Sequence, residues 1–131
     1  MLLSVTESKN IHSELIPQIA TGFCGGLSRT NGICGAVSGA IMAINIVYGR
    51  KDPSVPVDGS YAKVREMLAG FEAKFGTTNC RQLIDCDLSV PEGRKKFQEY
   101  NLKEKCRGFT EEATRLALLI LDGSAERAAN G

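Results

Sequence analysis

The sequence contains one histidine, His12, so it offers no second imidazole for a zinc site or a histidine-centred catalytic pair. His12 reads as a solvated residue. The formal net charge is only +1, with acids and bases interspersed. Without a basic stripe there is no electrostatic footprint for nucleic acid or an anionic membrane. The longest apolar stretch, residues 33–48, is interrupted by Ser38 and Asn45 and falls short of the ~20 residues that cross a bilayer. It is expected to be a buried helix, with no membrane insertion. Residues 1–14 lack the basic start, apolar run and small-residue cleavage site of a secretory leader, which makes a cytoplasmic location the expectation. Repeats, low-complexity segments and Cys-x-x-Cys-His haem attachment motifs are also missing.

No run of alternating β-branched residues is bounded like a strand, while apolar residues recur at helical intervals nearly throughout. The expected fold is all-α, a compact helical bundle of about four to six helices forming one domain over residues 1–131. In the first predicted helix Ile11, Leu15, Ile16, Ile19 and Phe23 follow the possible cap Ser13, and Pro17 starts or kinks it. The second, residues 34–48, carries Val37, Ile41, Ile44 and Tyr48 on one face and a flat Gly35, Gly39, Ala43 stripe suited to close packing. After a Pro-containing loop at 50–59, Asp58 or Ser60 caps a third helix with Tyr61, Val64, Leu68, Phe71 and Phe75 in a stripe ending at Gly76. Thr77 or Thr78 then caps a short helix bearing Cys80, Leu83 and Ile84. Ser89 and Glu92 are placed to cap a further helix reciprocally, with Pro91 near its first position and Gly93 weakening it. In the last helix, starting at Asn101 or restarting at Thr110, Cys106, Phe109, Ala113, Leu116 and Ile120 share a face.

What the chain does have is thiols: Cys24, Cys34, Cys80, Cys86 and Cys106. Five is odd, and a chain of this length has no need of disulfides as its only support, so a disulfide framework is not expected. In a reducing compartment such cysteines serve catalysis, redox cycling or metal binding. Cys34 lies at the mouth of the second helix, where the positive dipole end favours thiolate. Cys80 and Cys106 also open inward-facing helical stripes, so the three are expected to meet at one end of the bundle, with Cys24 near them in the Gly-rich turn. Arg81, Lys103, Lys105 and Arg107 stand beside them and would favour thiolate further. Cys86 falls outside the site. Gly22 to Gly26 lacks dinucleotide-fingerprint spacing and reads as a turn. Asp85, Asp87, Glu111 and Glu112 read as caps and solvated faces, and Phe71, Phe75 and Phe109 as core.

The run Cys34-Gly35-Ala36-Val37-Ser38-Gly39, the turn at residues 23–27, the stretch from Phe75 to Leu83 around Cys80, and Cys106 with Phe109 occur in the order seen in the redox-active protein family named for its C_GCAxxG_C_C pattern. The chain resembles that family through most of its length. By this resemblance Cys34, Cys80 and Cys106 correspond to the family's later three cysteines. Cys24 stands where the family more often has glycine, the first family cysteine lying farther upstream. The resemblance also brings an electron-transfer alternative, because a related domain occurs in a multi-haem cytochrome.

The leading expectation is thiol–disulfide exchange, with Cys34 as the reactive thiol and Cys80 or Cys106 resolving it, in exchange with an unidentified redox partner protein. A second is a [2Fe–2S] or other metal-binding electron carrier with Cys24, Cys34, Cys80 and Cys106 as ligands. A third is a helical interaction module whose cysteines only pack. An apolar face on the first helix makes a homodimer a further expectation.

Overall fold

Apolar stripes in this chain are interrupted by glycine-rich and proline-containing turns, and those turns decide where the thiols fall. A computed structural model describes residues 1–123; the last eight positions of the expected 1–131 domain, 124–131, lie outside the described residues. In chain order the elements are α1 (Leu2–Ser8), a 3-10 segment (Gln18–Phe23), α2 (Cys24–Leu27), α3 (Gly35–Tyr48), α4 (Asp58–Phe75), α5 (Cys80–Ile84), α6 (Pro91–Glu99) and α7 (Lys103–Leu121). The all-α class is as expected. Seven α-helices among the described residues exceed the expected four to six. The only β-structure among those residues is a single antiparallel bridge, Ile33 to Asn79.

The N-terminal region departs most from expectation. The helix expected over Ile11 to Phe23 is replaced by turns and the 3-10 segment, which starts after Pro17, while α1 forms earlier and buries Leu2, Val5 and Thr6. Leu15 and Ile19 remain exposed, so their helical spacing does not mark a buried face.

Helix α3 occupies the centre and packs most extensively on α7, then on α4. Its Val37, Ala40, Ala43 and Ile44 meet Met67 and Phe71 of α4 and Phe109, Ala113, Ala117 and Ile120 of α7 in a continuous buried cluster. Full burial of each large apolar side chain stabilises by about 1.5–3 kcal/mol. Phe71, Phe75 and Phe109 form an aromatic triplet, with Phe75 and Phe109 edge-to-face at 4.9 Å between centroids. They are core, as the sequence predicts. The Gly35, Gly39, Ala43 stripe is covered from within the chain: a β-carbon on Gly39 would touch Met1 and Leu2, and one on Gly35 would lie 2.9 Å from the Phe23 carbonyl oxygen.

Several caps differ from those predicted. Neither Asp58 nor Ser60 caps α4, whose N-cap residue is Val57; the Ser60 hydroxyl donates to the Val57 carbonyl instead. Ser89 turns back to Asp87, leaving α6 without a side-chain cap but with Pro91 in its first turn. Gly93 is less a weakness than a requirement, since a β-carbon there would fall 1.6 Å from the Asp87 carbonyl oxygen. Glu112, expected on a solvated face, is buried and ion-paired to Lys74 and Arg115.

No helix among the described residues is long and apolar enough to cross a membrane.

Candidate functional site

The bridge between Ile33 and Asn79 organises the thiols. Cys34 donates its backbone N–H to the Thr78 carbonyl at 2.8 Å, and Cys80 donates its own to the Gly32 carbonyl at 2.9 Å. In an antiparallel pair successive side chains alternate between faces, so Cys34 and Cys80, one residue beyond each bridge partner, project to the same face as diagonal neighbours. Such diagonals lie roughly 7–8 Å apart at Cα.

On each side of the bridge the chain turns directly into a helix. Cys34 is extended (ψ 132°) and is the N-cap residue of α3. Cys80 is the first residue of α5, fixed by Asn79, whose side-chain oxygen accepts from the Gln82 N–H at 3.0 Å and whose side-chain amide donates to the Asn31 carbonyl at 2.8 Å. Asn79 thus takes the capping role predicted for Thr77 or Thr78; Thr77 supports it by accepting from the Asn79 N–H. Asn79 went unrecognised as a positioning residue, although an Asn immediately before the helix is the signal that could have found it. Cys106 lies in the first turn of α7 and is half-buried.

Above Cys80 runs the Gly-rich turn. Gly25, Gly26, Leu27, Ser28 and Arg29 all have positive φ, and Ser28 and Arg29 donate to the carbonyls four residues back, Cys24 and Gly25, closing a left-handed turn. For non-glycine residues this conformation costs about 1–2 kcal/mol each. Gly26 accepts the Gly32 N–H and lies against Cys80, so the turn is tied to the bridge. Cys24, at its start, is exposed, while Cys34 and Cys80 are buried.

Electrostatics reverse one expectation. The N–H groups of Ala36 and Val37 do pull the Cys34 thiol toward ionisation, as a helix mouth should, but burial outweighs them and pushes its pKa up. Cys80 is pushed up to about 11, first by burial and then by repulsion from Cys34, Cys106 and Cys86. Cys106 is also raised, by burial first and then by Cys34. The nearby cations do not offset this: Arg81 pairs with Asp87 at 3.6 Å and Arg107 with Glu104 at 3.5 Å. These repulsions nevertheless link Cys34 to Cys24, Cys80 and Cys106, and link Cys80 to Cys106 and Cys86 as well.

The four-cysteine metal alternative does not fit. Among the described residues no group of three or more His, Cys, Asp or Glu side chains is disposed to hold a metal ion. Cys86 is buried in the core, where its thiol donates to the Gly93 carbonyl at 2.8 Å, and its charge also reaches Cys80. His12 is exposed, with its ring Nε2 3.0 Å from the Asn10 side-chain oxygen.

The family model described as "Putative redox-active protein (C_GCAxxG_C_C)" matches residues 1–120. No curated protein and no solved structure matches the chain.

Proposed function

From the premise that this chain belongs to the C_GCAxxG_C_C family of putative redox-active proteins, we propose that it is a dithiol–disulfide redox protein in which Cys34 is the central thiol and Cys80 its resolving partner. The observation that carries this reading is the bridge at Ile33 and Asn79, which sets Cys34 and Cys80 on one face at adjoining helix starts. Closing the pair needs a shift on the order of 1 Å from diagonal spacing to disulfide spacing. Oxidation forms one Sγ–Sγ bond and releases two protons, and the two electrons reduce the disulfide of a redox partner to two thiols. Cys106, whose ionisation Cys34 opposes, is the second thiol proposed to resolve it.

High thiol pKa values give this pair a definite character. A buried, protonated dithiol attacks slowly near neutral pH, and its thiolates are poor leaving groups, so the disulfide once formed resists reduction. The interaction-module reading loses its main support, because the small-residue stripe of α3 is already covered by Met1, Leu2, Phe23 and Cys24.

The test is equilibration of the full chain in glutathione redox buffers, followed by acid quench, alkylation and peptide mapping. The expected product is a reversible intramolecular disulfide containing Cys34, with Cys80 as the main partner. A protein whose five thiols all remain free at oxidising poise, or whose disulfide omits Cys34, overturns the reading.

A further inference from the structure

We propose that Cys24 is the thiol through which external disulfides reach the buried pair, forming a transient Cys24–Cys34 disulfide on the outer side of the cluster. This rests on the dithiol reading of Cys34 and Cys80 and adds a route to it.

The buried pair has an access problem. Thiol–disulfide exchange needs the attacking sulfur in line with the substrate S–S bond, yet Cys34 and Cys80 are both buried and Gly26 lies directly on Cys80. Cys24 is the exposed member of the group. It is also adjacent: a β-carbon built on Gly35 would lie 3.0 Å from the Cys24 α-carbon, so chain geometry holds the α-carbons of Cys24 and Cys34 within roughly 8 Å. Repulsion between the Cys24 and Cys34 charges agrees with that closeness, and Cys106 also feels Cys24.

Two further features suit the role. Cys24 lines a cleft of about 150 Å³ with Pro17, Ala20, Phe23, Gly35 and Met42, an apolar seat for one half of a small or peptide disulfide. The left-handed turn that follows Cys24 is strained at Leu27, Ser28 and Arg29 and is tied to the bridge through the Gly32 N–H on the Gly26 carbonyl, so Cys24 sits where backbone strain can be released.

The sequence of steps balances. The Cys24 thiolate attacks a substrate disulfide RS–SR′, forming Cys24–SR and releasing R′S⁻. The Cys34 thiolate attacks the Cys24 sulfur, forming Cys24–Cys34 and releasing RS⁻. The two leaving thiolates take up the two protons lost by Cys24 and Cys34, and the substrate has gained two electrons. Attack by Cys80 on Cys34 then moves the disulfide inward and regenerates Cys24 as a thiol.

The test uses the full chain with oxidised glutathione as the probe, quenched over time and mapped by mass. Cys24→Ser and Cys24→Ala should form the Cys34–Cys80 disulfide at least tenfold more slowly than the parent while reaching the same final fraction. Cys34→Ser should accumulate glutathione on Cys24. Parent-like rates in both Cys24 variants overturn the route and leave the dithiol reading standing. If the parent never forms Cys34–Cys80, that reading falls, and the route is judged on the Cys24–Cys34 disulfide alone, whose absence overturns it too.

Discussion

A β-carbon on Gly26 would lie 2.6 Å from the β-carbon of Cys80 and 2.9 Å from both the backbone nitrogen and oxygen of Gly32. Because φ at Gly26 is also +66°, any side chain there meets crowding and left-handed strain together. Gly26→Ala should therefore destabilise by at least ~2 kcal/mol and slow Cys34–Cys80 disulfide formation. Gly25→Ala is the control, since it shares the positive φ but meets first only the flexible Arg29 side chain, at 3.2 Å. Urea unfolding should rank Gly26→Ala well below Gly25→Ala; equal losses mean that the turn does not press on Cys80.

The reduced protein should weaken in alkali. Cys80 in the folded state is raised from 9.0 to about 11, and Cys34 and Cys106 move in the same direction. The unfolded chain therefore loses these protons first, so the contribution is fully present below about pH 9 and is lost as pH rises toward 11. For Cys80 the loss by about pH 10.5 is on the order of 1–2 kcal/mol. Unfolding under strong reductant, compared at about pH 7.5 and about pH 10.5, should show it, and Cys80→Ala should show a smaller fall. A parent stability that does not change over this range contradicts the burial of the thiols.

Much of this arrangement was legible in the sequence, for identifiable reasons. Helices α3 and α7 are long enough for several repeats of an apolar stripe, so Val37 and Ile44, or Phe109, Ala113 and Ile120, mark their buried faces correctly. Helix α1 has under two turns and only Leu2, Val5 and Thr6 buried, too few for any period to register. The spacing of Ile11, Leu15 and Ile19 imitated a helix whose tertiary support does not exist. For the site, placing Cys34, Cys80 and Cys106 at helix starts followed from local signals. The bridge joining Ile33 to Asn79 was invisible because one pair of residues distant in sequence leaves no periodicity. The expected low pKa of Cys34 failed because a helix mouth can be read from glycine and cysteine positions, whereas burial depends on the whole fold.

Gly93 in α6 should tolerate no side chain. Its β-carbon position collides with the backbone of Asp87, which cannot yield as a flexible side chain would, and its carbonyl accepts the Cys86 thiol. Gly93→Ala should cost at least ~3 kcal/mol despite the better helix propensity of alanine. Thermal unfolding at parent-like temperature means that α6 is set differently against the Cys86–Asp87 segment.

Gly39 separates a tolerant contact from an intolerant one. A β-carbon there would meet Met1 Cβ at 3.6 Å and the Leu2 nitrogen at 3.8 Å, which is ordinary contact. Gly39→Ala should be neutral or stabilising by up to about 1 kcal/mol through helix propensity. Gly39→Leu should overpack the interface with α1 and destabilise by roughly 1–3 kcal/mol. A leucine variant as stable as the parent shows that α1 lifts away from α3 without cost.

Glu112 on α7 gives an acid-side prediction of opposite sign. It is only 5% exposed and accepts from Arg115 Nε at 3.0 Å, from Arg115 Nη2, and from Lys74 of α4 at 3.2 Å. The Arg115 hydrogen bonds come first among the causes that hold its carboxyl below the ordinary value of 4.5. With the folded pKa depressed, its contribution is present above about pH 4.5 and fades as pH falls through the folded value. Lys74 and Arg115 keep over half of their side-chain surface in water, which screens the pairs and leaves two solvated cations if the carboxylate is removed. Glu112→Gln should therefore cost about 1 kcal/mol near neutral pH, and the penalty should shrink at acid pH as the parent carboxyl takes up its proton. Urea unfolding of both proteins at the two pH values decides it. An equal penalty at both assigns Glu112 to packing between α4 and α7, with no part for its charge.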